Sequence, residues 1–203
     1  LGEMDQAITY YQKAIANNPH PEGSYYNLGM AYGKKGDLDG AIEHYMKALD
    51  LNPDYAEARN NLGYAYLKKG EVERAIQELT KALSIDPKLT EAYNNLGNAY
   101  IAKDQLERAI AEYEQAIAVN PDFALAYFNL GVVYRRQGQL EKAIAKLHQA
   151  LALNPAYGKA HYQLGIAYYY NKQYKLAITH CNKAGEFGVK VDPKLLELLK
   201  TSG

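Results

Sequence analysis

Five histidines, one cysteine and a set of evenly spaced primary amides are the side chains of this sequence with chemistry to offer. The histidines stand at 20, 44, 148, 161 and 180, and the cysteine at 181. Zinc held on a helix calls for two histidines four residues apart on one face, and no two of these five have that spacing. His180 and Cys181 are neighbours in sequence, so on a helix they point about 100° apart. The amides are a different case. Asn27, Asn61, Asn95, Asn129 and Gln163 recur every 34 residues, and a primary amide can bond both the N–H and the C=O of a passing backbone. The same groups could equally bridge neighbouring helices or bind water.

The interval of 34 belongs to a longer pattern. The octet YYNLGMAY (25–32) returns as RNNLGYAY (59–66), YNNLGNAY (93–100), YFNLGVVY (127–134) and HYQLGIAY (161–168). Within each octet the first, fourth, fifth and eighth residues, such as Tyr93, Leu96, Gly97 and Tyr100, lie on one helical stripe. A mid-helix glycine costs on the order of 1 kcal/mol against alanine, so the recurrent glycines at 29, 63, 97, 131 and 165 imply close approach of a second helix. That helix follows each octet. Ala41, Ile42, Tyr45, Ala48 and Leu49 mark its face and are matched by Ala75, Ile76, Leu79, Ala82 and Leu83. Short turns such as KKGDL (34–38) carry a glycine suited to a left-handed helix end. Asn-Pro or Asp-Pro, with prolines at 19, 53, 87, 121 and 155, punctuates the units.

This pattern resembles the tetratricopeptide repeat family over nearly the whole chain. The Leu-Gly of each octet, the tyrosine three beyond it, the two alanines of the second helix and the terminal proline carry the resemblance. It implies an all-α, right-handed superhelical solenoid of antiparallel helix pairs, with first helices on the concave face. The expected units are the second helix of a truncated repeat (1–21), full repeats at 22–55, 56–89, 90–123 and 124–157, and a divergent last repeat at 158–191. A capping helix and tail (192–203) follow, opening at Asp192-Pro193 with Leu195, Leu196, Leu198 and Leu199 on one side. The apolar face of helix 3–17 is expected to lie bare. The chain begins within a repeat, as expected of a piece of a longer protein whose targeting sequence would lie upstream.

Positions 2, 5, 6 and 9 of each unit form a second stripe that should face the groove. Besides the amides at position 6, it holds Tyr26, Met30, Asn60, Tyr64, Asn94, Asn98, Phe128, Val132, Tyr162 and Ile166, with Tyr169 nearby. Glu57 and Glu91 give the early groove acidic character, and Arg135 and Lys159 make the late groove basic. A partner segment with a basic part followed by an acidic one fits that order. The basic clamp by which some members of the family hold a terminal carboxylate is absent, because position 5 is never lysine and Lys159 is followed by Gln163.

Composition excludes several other functions. Lysine plus arginine and aspartate plus glutamate balance at 23 each, so nothing global attracts nucleic acid or an anionic membrane. The paired lysines at 34–35 and 68–69 read as solvated turn residues. No apolar run approaches the roughly 18 residues that span a bilayer, which points to a soluble, cytoplasmic chain. Cys181 occupies the place of Tyr45, Leu79, Tyr113 and Leu147 and reads as a buried apolar residue. No catalytic residue, metal or cofactor is expected. The reading is a scaffold that binds a protein or peptide segment in its groove. Self-assembly into a homo-oligomer, or service as the adaptor portion of a larger enzyme, are the alternatives.

Overall fold

The computed structural model describes residues 2–202, and among them there are twelve α-helices and no strand. They are α1 (Gly2–Asn17), α2 (Glu22–Lys35), α3 (Leu38–Leu51), α4 (Ala56–Lys69), α5 (Val72–Ile85), α6 (Thr90–Ala102), α7 (Leu106–Val119), α8 (Ala124–Arg136), α9 (Leu140–Leu153), α10 (Gly158–Tyr170), α11 (Tyr174–Glu186) and α12 (Pro193–Ser202). The chain divides into two compact units, residues 1–109 and 110–203, with the division inside α7.

In the first unit α2 packs on α3 and α4 on α5, while α3 meets α4 and α5 meets α6. The core is built from small residues facing large ones. Ala41, Ala48, Ala75 and Ala82 are no more than 1% exposed, and Tyr45 and Leu79 lie buried beside them. The glycines opposite make this possible. A Cβ on Gly63 would stand 2.7 Å from Leu79 Cγ, and one on Gly29 would stand 2.7 Å from the Tyr45 ring. In the second unit α8 packs on α9 and α10 on α11 in the same manner. A Cβ on Gly131 would lie 2.6 Å from Leu147 Cγ, and one on Gly165 would lie 2.5 Å from Cys181 Sγ.

The turns follow from local chemistry. Gly36 and Gly70 adopt φ of 84° and 81° after α2 and α4. There Asp37 N–H donates to Tyr32 O and Glu71 N–H to Tyr66 O, which satisfies the carbonyls at the helix ends. Asp104 and Lys172 hold the same left-handed conformation, at φ 56° and 59°, although each carries the Cβ that makes it costly. The Asn/Asp-Pro punctuation also has a cause. The side-chain oxygens of Asn52, Asp86 and Asn120 accept from the backbone N–H two residues on, folding the chain over the proline.

The ends depart from expectation in two respects. Helix α1 is partly covered: Ile8 packs with Leu28 and Ala31, and Met4, Tyr11 and Ile15 flank them, whereas Tyr10 is 68% exposed. In α12, Leu199 is buried with Leu195 and Leu196 partly so, but Leu198 is 47% exposed. The four leucines therefore do not share one buried side. At about 100° per residue they spread over roughly 160° of the helix, and Leu198, at one edge of that arc, is the one turned out.

Two regularities recur at the 34-residue interval and escaped the sequence reading, one tying successive repeats together and the other lying within each repeat. Lys35, Lys69 and Lys103 reach back to Asp5, Asp39 and Glu73 at 2.7, 2.5 and 3.0 Å, a 34-residue ladder of ion pairs. Two of the turn lysines read as simply solvated, Lys35 and Lys69, are thus engaged. The pairs are exposed, so each stabilises little. Similarly Arg74, Arg108 and Lys142 stand over the rings of Tyr66, Tyr100 and Tyr134 at 5.3–5.5 Å, in cation–π geometry.

Candidate functional site: the face of the first helices

In the first unit the amides expected to await a ligand are tied to one another. Asn61 Nδ2 donates to the Tyr26 hydroxyl at 3.1 Å, Asn60 Nδ2 donates to Asn61 Oδ1 at 3.2 Å, and Asn95 Nδ2 donates to Asn60 Oδ1 at 2.9 Å. This chain of bonds crosses α2, α4 and α6 and joins neighbouring first helices. Asn60 and Asn94, placed by the sequence on the groove-facing stripe, are buried at 6% and 3% exposure. Position 5 lies at the joint between first helices, and a short amide there fills it without leaving a polar atom unsatisfied. Among the described residues no buried side-chain nitrogen or oxygen lacks a partner. Asn27, Asn61, Asn95 and Asn98 remain half-exposed. An amide oxygen has two lone pairs, and Asn61 Oδ1 gives one of them to Asn60.

The open face of this unit carries a pocket of about 270 Å³. Its floor is Leu38, Ala41 and Tyr45 of α3, and its walls are Met30, Gly33 and Lys34 of α2 and Asn61, Tyr64 and Ala65 of α4. Tyr64 is 43% exposed and stands at the rim, with Lys68 Nζ 5.2 Å from its ring centre. One repeat earlier, Met4, Ala7 and Tyr11 take the places of Leu38, Ala41 and Tyr45, and Asn27, Met30 and Ala31 those of Asn61, Tyr64 and Ala65, around a second pocket of about 240 Å³. Burial raises the pKa of the Tyr26 hydroxyl, and Glu57 and Glu91 push it the same way. Both carboxylates therefore stand near enough to act on the Tyr26 hydroxyl.

In the second unit Arg135 Nε donates to Gln163 Oε1 at 2.9 Å, joining α8 to α10. Phe128 rests on Tyr157 with ring centres 4.9 Å apart, so this aromatic pads the entrance to α10. Asn129 is half-exposed and Lys159 exposed. Tyr162, Ile166, Tyr169 and Arg135 line a pocket of about 270 Å³ whose other wall is Asp192, Lys194, Leu195 and Leu198. The capping segment therefore stands against the very face of α10 that the sequence assigned to a partner, a juxtaposition that no spacing argument on α10 alone could reveal.

Among the described residues no group of three or more histidine, cysteine, aspartate or glutamate side chains could hold a metal ion. Cys181 is 1% exposed, and burial pushes its thiol up to about 11. A thiol-specific reagent at pH 8 is expected to label it at least about a hundredfold more slowly in the native protein than after unfolding, since thiolate is the reactive species. Equal rates would place the sulfur at the surface. Among the described residues no helix is long and apolar enough to cross a membrane.

Antiparallel helix pairs repeated every 34 residues, with glycine and alanine at the contacts and side chains of changing chemistry on the first-helix face, define an all-α helical-repeat protein. The chain belongs to the tetratricopeptide repeat family: a TPR repeat model matches residues 34–70, 66–104, 97–138 and 133–172, and a second tetratricopeptide repeat model matches 10–43. Repeats of this kind generally mediate protein–protein interaction, and their folds typically serve as non-catalytic scaffolds. The chain is similar to the crystal structure of MamA, with 34% identity over 79% of this chain and 94% of that one and a TM-score of 0.68. A thermophilic TPR protein from Thermus thermophilus shares 29% identity over 89% of this chain and 98% of its own, with a TM-score of 0.72. At 22% identity, a chain of the APC/C hetero-tetramer Cut9-Hcn1 shares the fold across 99% of this chain and 40% of its own, with a TM-score of 0.86. A comparison with curated protein sequences found no significant match.

Proposed function

We propose that the protein is a non-catalytic scaffold that binds a segment of a partner protein on the face of its first helices. The observation that carries the reading is the open apolar pocket between α2 and α4, with Tyr64 and Asn61 at its edge. An exposed tyrosine beside methionine and alanine offers broad contact at little entropic cost. The amide network makes a stiff support for it, so the remaining lone pair of Asn61 Oδ1 can bond a partner backbone without reorganising, and the half-exposed Asn27, Asn95 and Asn98 lie on the same face. Glu57 and Glu91 favour a basic stretch of the partner near Tyr26. In the second unit Asn129, Lys159 and Tyr162 are the corresponding contacts, with Gln163 held in place by Arg135.

Peptides selected from a random library on the wild-type protein provide the probe. Tyr64→Ala is expected to weaken them by about tenfold or more while shifting Tm by no more than about 2 °C. Tyr10→Ala, on the outer side of α1, is expected to change neither. Peptides that bind Tyr64→Ala as well as wild type would remove the α2–α4 pocket from the binding surface.

A further inference from the structure

Positions 4 and 23 of each repeat meet where the first helix crosses the second, and within the two units four such joints are closed by four different chemistries. Tyr25 lies against the His44 ring with centres 6.2 Å apart. Arg59 Nη1 donates to Glu78 Oε2 at 2.8 Å. Lys146 stands 5.7 Å from the centre of the Tyr127 ring. In the last pair His161 Nδ1 and His180 Nδ1 are 2.9 Å apart. The last joint is the second one rewritten. His161 stands where Arg59 does and His180 where Glu78 does, 102 residues on. Arg59 also donates through Nε and Nη2 to the carbonyl of Pro53, and His161 Nε2 bonds the carbonyl of the equivalent proline, Pro155, at 3.1 Å.

The protons at this joint have one consistent arrangement. A carbonyl only accepts, so His161 carries its hydrogen on Nε2. Its Nδ1 is then a bare acceptor, and His180 Nδ1–H must donate to it. A proton added to His161 Nδ1 would set two N–H groups head to head unless His180 moved its own hydrogen to Nε2, and in either case it would bury a cation at the joint. One added to His180 Nε2 would place a cation among like neighbours: His148 on α9 and Lys183 on α11 both oppose charge on the pair, against the Pro155 carbonyl and Glu186, which favour it on His161. The site is also walled by aromatic rings. His180 stacks on Tyr168, whose hydroxyl is 2.7 Å from His148 Nε2, and His161 stacks on Phe187 at 5.6 Å. Phe187 and Val189 in turn rest directly on Gly158, where a Cβ would come within 2.9 Å of each.

We infer that the His161–His180 joint is a proton-operated latch: mild acid breaks it, loosens α10 from α11, and frees the terminal segment 187–199, baring the Tyr162–Ile166 face of α10 that the segment walls. Joints without a histidine pair, such as Arg59–Glu78, stay shut under the same change. The sign follows from linkage. Burial, reinforced by His161 and His148, lowers the His180 pKa from 6.5 to about 4, and burial lowers His161 and His148 as well. The unfolded chain then takes up the proton first, so stability present above about pH 6.5 is lost as the pH falls toward 4.

The test is amide hydrogen exchange on the whole chain, expressed as protection factors at pH 7 and pH 5. From the His180 values, protection across 158–199 is expected to fall by up to about 20-fold, while residues 56–102 change less than about threefold. The double swap His161→Arg with His180→Glu, which installs the joint of the second repeat, is expected to abolish the difference. Two results would overturn the latch: protection in 158–199 that falls no further than in 56–102, or a folded swap variant that stays as acid-sensitive as wild type. Should the swap fail to fold, the imidazole carbon resonances of the wild type decide. Titration of His180 near 4 supports the latch, and titration near 6.5 refutes it.

Discussion

Gly131→Val is expected to cost about 3 kcal/mol or more, a large fraction of the stability of an ordinary domain. Taken alone, helix propensity says the opposite, because replacing a mid-helix glycine should gain a few tenths of a kcal/mol or more. The contact decides. Even a Cβ at this position would stand 2.6 Å from Leu147 Cγ and 3.2 Å from the carbonyl oxygen of Ala143, and the backbone oxygen cannot rotate away. Gly131→Ala should therefore lose about 1–2 kcal/mol net of its propensity gain. A double-mutant cycle with Leu147→Ala isolates the cause. The leucine is fully buried and costly to truncate by itself, yet the two losses should fall short of additive by about 1 kcal/mol, since the smaller side chain makes room for the new methyl. Denaturant unfolding that shows Gly131→Val within about 0.5 kcal/mol of wild type would mean the helices are free to part, and the glycine would need another explanation.

Arg59→Met is expected to lose about 2–3 kcal/mol. Its side chain is 17% exposed, that of its partner Glu78 is 14% exposed, and three donors are spent on Glu78 and the Pro53 carbonyl. Removing the cation leaves Glu78 with only the exposed Lys81 and the carbonyl with none of these bonds, a larger loss than for a surface pair. Adding Glu78→Leu should restore stability to within about 1 kcal/mol of wild type, because two apolar groups can share the space that one orphaned charge cannot. If the double variant is instead as unstable as the sum of its parts, the pair contributes no mutual interaction and the arginine acts through Pro53 alone.

The helix pairs were legible because their causes are local and repeated. The Leu-Gly of each octet, the alanines facing it and the Asn/Asp-Pro turns announce contacts that depend on size and backbone geometry, and the spacing of 34 multiplies the signal. The left-handed ends at Asp104 and Lys172 show that the fold holds even where a local rule is broken. The face proposed to bind was legible only in outline. Sequence periodicity placed Asn60 and Asn94 on the same stripe as Asn61 and Asn95, but their burial depends on how closely successive first helices approach. The Lys35–Asp5 ladder escaped because its partners are 30 residues apart on different helices, a relation that a reading of single-helix stripes does not contain. The pairing of His161 with His180 was invisible for the same reason: a search for ligands four apart passes over two rings 19 residues apart that face each other across a joint.

Repeated sequences run a hazard that unrepeated ones avoid, since any first helix could settle on the wrong second helix and find almost the same alanines and leucines waiting. The unlike joints at positions 4 and 23 answer it. Helix α4 laid on α11 would seat the Arg59 guanidinium against the His180 imidazole, and α4 laid on α9 would seat it against the Lys146 ammonium, with no carboxylate in either case. The Arg59–Glu78 crossing thus works as an address, admitting its own neighbour and turning away near-copies, a fixed point of register in a chain written five times over.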